Sequence, residues 1–169
     1  MRPIMQDTDL AWLGGYWDGE GSIALFTHTE RTGNTKICPT VSVINTDIAL
    51  VNKSRKILEE LGCNFVLHER KPKNTRHSTA WVLTTRNQDY IIKFLTAVSP
   101  YLWGEKRQKA EILLDYCQRR SAKIRRLPSA GSTPYDESDW KFVDEFKKAN
   151  IRVSNNHRSS TTTREALEE

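Results

Sequence analysis

Leu13-Gly14-Gly15-Tyr16-Trp17-Asp18-Gly19-Glu20-Gly21 is the stretch on which the reading of this chain turns. The residues before it, Asp9-Leu10-Ala11-Trp12-Leu13, read as the start of a helix with Thr8 or Asp9 as N-cap. A glycine inside a helix costs roughly 1 kcal/mol relative to alanine, so Gly14 and Gly15 need a reason. The spacing of Ala11, Gly15 and Gly19 stacks three small residues on one helical face, where a second backbone can come close. Asp18 and Glu20 stand at the helix C-terminus, against the macrodipole. Carboxylates held there beside glycines suit a hard divalent cation; the plain alternative is a glycine-rich helix end with solvated acids.

A chain of 169 residues allows one domain with a core and is short for two. Its 37% hydrophobic and 28% charged content fits a globular protein, and no apolar run approaches the ~18 residues of a membrane span, so no membrane partner is expected. The N-terminus carries no apolar signal-like segment, and Cys38, Cys63 and Cys117 are scattered. Together these lead to the expectation of reduced packing cysteines in an intracellular protein, cytoplasmic or organellar and not secreted.

Periodicity predicts a helix over 8–20, strands over 22–31 and 35–45, and a helix over 47–61. Strands over 64–71 and 76–86 follow, then helices over 87–98 and 103–121. A Pro/Ser/Gly-rich loop over 127–135 leads to a short helix near 137–149. This is an α+β fold in the order αββαββα, expected as one domain over 1–150 with a polar, frayed tail over 151–169.

The nonamer, with the strand Ser22-Ile23-Ala24-Leu25-Phe26 behind it, resembles the signature of the LAGLIDADG homing endonucleases. Gly14 stands at the family's alanine and Glu20 at its last acid. The αββαββα order is similar to one unit of that family, and only one nonamer occurs here. The resemblance implies an antiparallel β-sheet saddle on double-stranded DNA and an intron-encoded, Mg²⁺-dependent nuclease cutting a long pseudo-palindromic site. One motif in a chain of this length implies a C2 homodimer, packed through Ala11, Gly14, Gly15 and Gly19. By the same resemblance Glu20 is the metal ligand, helped by the Gly19 carbonyl, with Asp18 a supporting acid. It further implies a polar residue ending the second strand and a lysine opening the late helix, here Asn45 and Lys106. The plain alternative for Asn45 is a helix cap, but Thr46 or Asp47 could cap equally well, which leaves Asn45 free for a water. A rival reading keeps the fold without cleavage, as an RNA maturase or DNA-binding regulator, since fold does not fix activity. A second rival, a structural dimerisation module, leaves the acids at the helix end unexplained.

Eight basic residues between 103 and 126 outnumber three acids by five, the whole net charge of +5. Beyond Lys106 they are Arg107, Lys109, Arg119, Arg120, Lys123, Arg125 and Arg126. They are expected to hold a DNA backbone, giving affinity that falls with salt; a solvated face is the bland alternative. Base reading is assigned to the strands, since a two-stranded ribbon fits the major groove. The candidates are Ala24, Phe26, His28 and Glu30; Lys36 and Thr40; His68, Glu69, Arg70 and Lys71; and Arg76, Ser78 and Ala80. A slip of one residue turns every side chain to the other face, so some of these belong to the helix side.

Overall fold

The computed structural model describes residues 7–72, 78–126 and 134–150, apart from the side chains of Arg125 and Arg126. Its elements are α1 (Asp7–Glu20), β1 (Gly21–Thr29), β2 (Thr35–Asn45), α2 (Ile48–Glu60), β3 (Val66–Arg70), β4 (Ala80–Thr85) and α3 (Gln88–Val98). A 3₁₀ turn (Ser99–Tyr101) and α4 (Gly104–Arg126) follow, then a last helix, α5, over 137–150. The αββαββα order stands as expected. The late helix runs to Arg126 rather than stopping near 121, because no glycine or proline interrupts the sequence before Pro128. Within the second hairpin the strands are shorter than expected, and 73–77, with Arg76, lie outside the described residues. So do 127–133, most of the expected loop, and the 151–169 tail.

The four strands form one antiparallel sheet in the order β1-β2-β4-β3. Alternation fixes its two faces. Ile23, Leu25, Ile37, Val41, Val43 and Leu83 are all 5% exposed or less and pack under the helices. Their neighbours point the other way, and Phe26, Ile44 and Val66 remain exposed there at 40%, 38% and 53%. The register places Ala24 opposite Thr40, Phe26 opposite Cys38 and His28 opposite Lys36.

Above the sheet, α1 turns Leu13 and Trp17 into the core, both fully buried. Trp17 meets Phe94 of α3 at 4.8 Å between ring centroids and Phe65 at 6.1 Å. Losing a buried indole of this kind typically costs about 3–5 kcal/mol. Asp47 caps α2, its Oδ1 accepting the Ala49 N–H at 2.8 Å, and Asn87 caps α3 through Tyr90 N–H at 3.2 Å. Helix α5 packs Val143 and Phe146 into the same core.

Candidate functional site

The nonamer occupies the last turns of α1 and the first residue of β1. Its glycines have two different reasons. Gly14 faces inward, and a Cβ there would run into Tyr101 of the 3₁₀ turn. The expectation that Gly14 belongs to the outer small-residue face is therefore corrected: it is buried by the chain's own turn. Ala11, Gly15 and Gly19 are exposed, and a Cβ on either glycine would meet nothing within 4 Å. Within the chain nothing described packs on this stripe.

At the C-terminus of α1 the last four carbonyls have no helical partner. Lys106, in the first turns of α4, takes two of them: its Nζ donates to Trp17 O at 2.8 Å and to Asp18 O at 2.6 Å. Asp18 Oδ1 in turn accepts the Trp103 N–H at 3.2 Å, just before α4 begins. The two helices are thus stitched together by the motif's own backbone and first acid. Burial pushes the Lys106 ammonium below its ordinary value, and nearby Lys109 adds to this; Asp18, Glu105 and Glu20 oppose the shift. An ammonium has three protons, so one remains beyond those given to these two carbonyls. Asp18, Ser22, Trp103, Lys106 and Lys109 line a cleft of 420 Å³ at this point.

Glu20 is exposed and makes no hydrogen bond or ion pair with a described residue. It lies within electrostatic reach of both Lys106 and the Tyr16 phenol. Burial raises the Tyr16 phenol above its ordinary value; Asn45 lowers it, and Glu20 and Asp47 raise it further. The structure therefore gathers Glu20, Lys106, Asp18 and Asn45 around the end of α1. Asn45 is not a free amide, because its Oδ1 accepts the Asp47 N–H at 2.9 Å ahead of α2. Only its NH₂ end remains for a water or a neighbour.

As donors for a hard cation, Glu20 and the Gly19 carbonyl fit, since Lys106 leaves both untaken. No group of three or more His, Cys, Asp or Glu side chains able to hold a metal occurs among the described residues. One chain thus supplies an open, one-carboxylate seat, which suits an ion that keeps several waters.

The outer face of the sheet carries Ala24, Phe26, His28, Lys36 and Thr40, as expected. His68, Arg70 and Ala80 share it, since His68 pairs with Val82 and Arg70 with Ala80. Glu69 does not: it pairs with Trp81 on the helix-side alternation, and Lys71, two positions on and just past the strand, follows it. Ser78, before β4, is exposed. Glu30 and Lys36 are an ion pair with each other at the end of the first hairpin. Sequence reasoning missed Ser22, Cys38, Ser42, Ile44, Val66, Val82, Thr84 and Arg86, which also lie on this face. Carrying the alternation Ala80, Val82, Thr84 one step further would have found Arg86.

The basic run needs the largest correction. Arg120 is 5% exposed, donates to Pro134 O at 2.9 Å and Asp139 at 3.4 Å, and stacks over Tyr135. Lys123 bonds Asp136 at 2.8 Å and Ser138 at 2.9 Å. Both hold α5 in place rather than facing a partner. Arg107, Lys109 and Arg119 each pair with an acid one turn away on α4: Glu111, Glu105 and Asp115. The side chain of Arg125 is outside the described residues.

No curated protein matches the chain. Its fold is similar to that of the group I intron-encoded homing endonuclease I-CeuI complexed with DNA, with a TM-score of 0.56, 13% identity, and 75% of this chain and 63% of that one covered. It is also similar to the homing endonuclease I-TnaI, with a TM-score of 0.51, 20% identity, and 81% and 97% covered. The homing endonuclease I-CvuI, in complex with its target in the presence of Ca, gives a TM-score of 0.50, 16% identity, and 85% and 96% covered. At these identities the likeness is one of fold. Residues 7–98 match the LAGLIDADG-like domain, a span that holds the nonamer, the whole sheet and α3. With the nonamer at the end of α1 and the αββαββα order over one antiparallel sheet, this chain belongs to the LAGLIDADG family and has the LAGLIDADG homing endonuclease fold.

Proposed function

We propose that this protein is a homodimeric, site-specific double-stranded DNA endonuclease that uses Mg²⁺ and works inside the cell. The observation that carries the reading is the end of α1: a free, exposed Glu20 beside an open Ala11/Gly15/Gly19 stripe, with Lys106 anchored on the adjacent carbonyls. Two copies packed along that stripe bring two Glu20 carboxylates together on one axis. Like charges that close are stable only with cations between them. When bound, Mg²⁺ supplies an activated water and neutralises charge on the phosphate being cut. Glu20 and the Gly19 carbonyl would hold it. Lys106 spends two protons on α1 and turns the third toward the cleft, where it stabilises phosphate charge or the attacking water. Asp18 holds α4 in register through Trp103 N–H, which keeps Lys106 at its post. The outer sheet face lies on the DNA and reads it, one half-site per copy, so the target is long and pseudo-palindromic.

The test is cleavage of a randomised duplex library with Mg²⁺, sequencing the cut ends, for wild type and Glu20→Gln side by side. Cuts at one related set of sequences by wild type, and none by the variant, support the reading. Sequence-specific binding with no cutting by either protein overturns it in favour of a non-cleaving binding protein on the same fold. Sedimentation of the free protein checks the dimer, and Gly15→Leu with Gly19→Leu should leave it monomeric.

A further inference from the structure

We propose that Arg86 is a base-reading residue, resting in the free protein as an arm across the sheet and selecting a guanine in each half-site. The inference rests on the DNA-binding reading above and adds to it one residue and one base. Arg86 follows the last residue of β4, and its guanidinium carbon stands 5.7 Å from the centroid of the Phe26 ring on β1. In the sheet order, β2 lies between those two strands. Val41 pairs with Thr85 and Ala24 with Thr40, so an arm from Arg86 to Phe26 crosses β2 near Thr40. Arg86 thus spans the middle of the open face rather than its edge.

Two further features support it. Arg86 makes no ion pair with a described acid, whereas Lys36, at the far end of the same face, is taken by Glu30. Its present partner is a ring that is itself 40% exposed, a contact of modest strength that can be exchanged. The Thr40 hydroxyl is closed off from water without a hydrogen-bond partner among the described residues. Lifting the arm opens the surface where that hydroxyl lies. A guanidinium offers a planar fork of donors that matches O6 and N7 of guanine in the major groove. Phe26, uncovered by the same movement, provides an apolar surface for the methyl group of a neighbouring thymine.

The test is equilibrium selection from a randomised duplex library with Ca²⁺ in place of Mg²⁺, for wild type, Arg86→Ala, Arg86→Lys and Arg86→Gln. Wild type should prefer guanine at one position in each half-site. Arg86→Ala and Arg86→Lys should lower that preference by about 10- to 100-fold while leaving other positions alone. Arg86→Gln should move the preference toward adenine, because glutamine forks onto N6 and N7 of that base. Circular dichroism checks that each variant is folded, and the Arg86→Gln shift is a gain that misfolding cannot imitate. If every variant binds uniformly more weakly with the same preferences, Arg86 contacts phosphate and the proposal is overturned. If wild type itself selects no sequence, the DNA-reading function fails and the assignment of Arg86 is overturned with it, a result distinct from the loss of one position's preference alone.

Discussion

The two ends of α4 use the same kind of residue in the same way and serve different parts of the protein. At the N-terminal end Lys106 grips the carbonyls of Trp17 and Asp18, fixing the end of α1 where Glu20 stands. At the C-terminal end Arg120 and Lys123 grip Asp139, Asp136 and Pro134, fixing α5. Along the sequence these residues form one positive run. In space only the first end faces the candidate site, so density of charge along a helix is no measure of its contact with a polyanion.

The largest expected effect is on stability at the far end. Arg120→Met leaves buried Asp139 with only the part-exposed Lys123 and strips Pro134 O of its donor, and should cost about 3 kcal/mol in urea unfolding, with cleavage per folded molecule unchanged. Loss of DNA binding at unaltered stability would show that Arg120 faces the partner after all. Lys106→Met should do nearly the opposite. Cleavage should drop by about 100- to 1,000-fold, as for the loss of one donor to developing charge. Stability should fall by about 1–3 kcal/mol, because two carbonyls at the end of α1 lose their partner.

The two ends also differ in how they answer to pH. Lys106 needs its charge and all three protons to hold both α1 carbonyls and still face the cleft, and burial lowers its pKa. Cleavage should therefore fall as pH rises through that lowered value, earlier than an ordinary lysine would allow, and a pH–rate profile measures this. Asp136 is held well below the usual carboxylate range by Lys123 first and Ser138 second. Its contribution is present above that usual range and is lost as pH falls toward the lowered value. Acid should thus loosen the hold on α5 only slightly and only well below the usual carboxylate range, visible as a small loss of amide protection over 137–150. The smallest effect belongs to Lys123→Ala. Stability should fall less than for Arg120→Met, because Lys123 is itself part-exposed, Asp136 is exposed and Asp139 keeps Arg120, and the salt slope of DNA binding should not change. A slope reduced by about one would mark Lys123 as a phosphate contact.

Much of the site was legible because it is local. The nonamer, the Ala11/Gly15/Gly19 stripe and Glu20 lie within three turns of one helix, where spacing alone sets direction. Five of the six candidates on the first two strands needed only the period of two to be placed on the outer face, and Glu30 and Lys36 turned out to pair with each other at the hairpin end. Gly14 was misread for a reason outside its helix: Tyr101, far along the chain, covers that face. Asn45 looked free because two neighbours could cap α2 instead; Asp47 does cap it, and the Asn45 oxygen then closes the turn before it.

The sequence by itself determined the order of elements, the inward and outward sides of β1 and β2, and the acid at the end of α1. These follow from periodicity and from residues a few positions apart. Only the tertiary structure decided which cations are spoken for, since the acids that claim Arg120 and Lys123 lie thirteen or more residues away, on the far side of the 127–133 segment. It alone set Lys106 on the α1 carbonyls and laid Arg86 across to Phe26, eighty-eight and sixty residues distant along the chain, through the packing of helix on helix and strand on strand. Charge and aromatic character can be read from a chain in order; the partner that satisfies each one is fixed only when the chain folds back on itself.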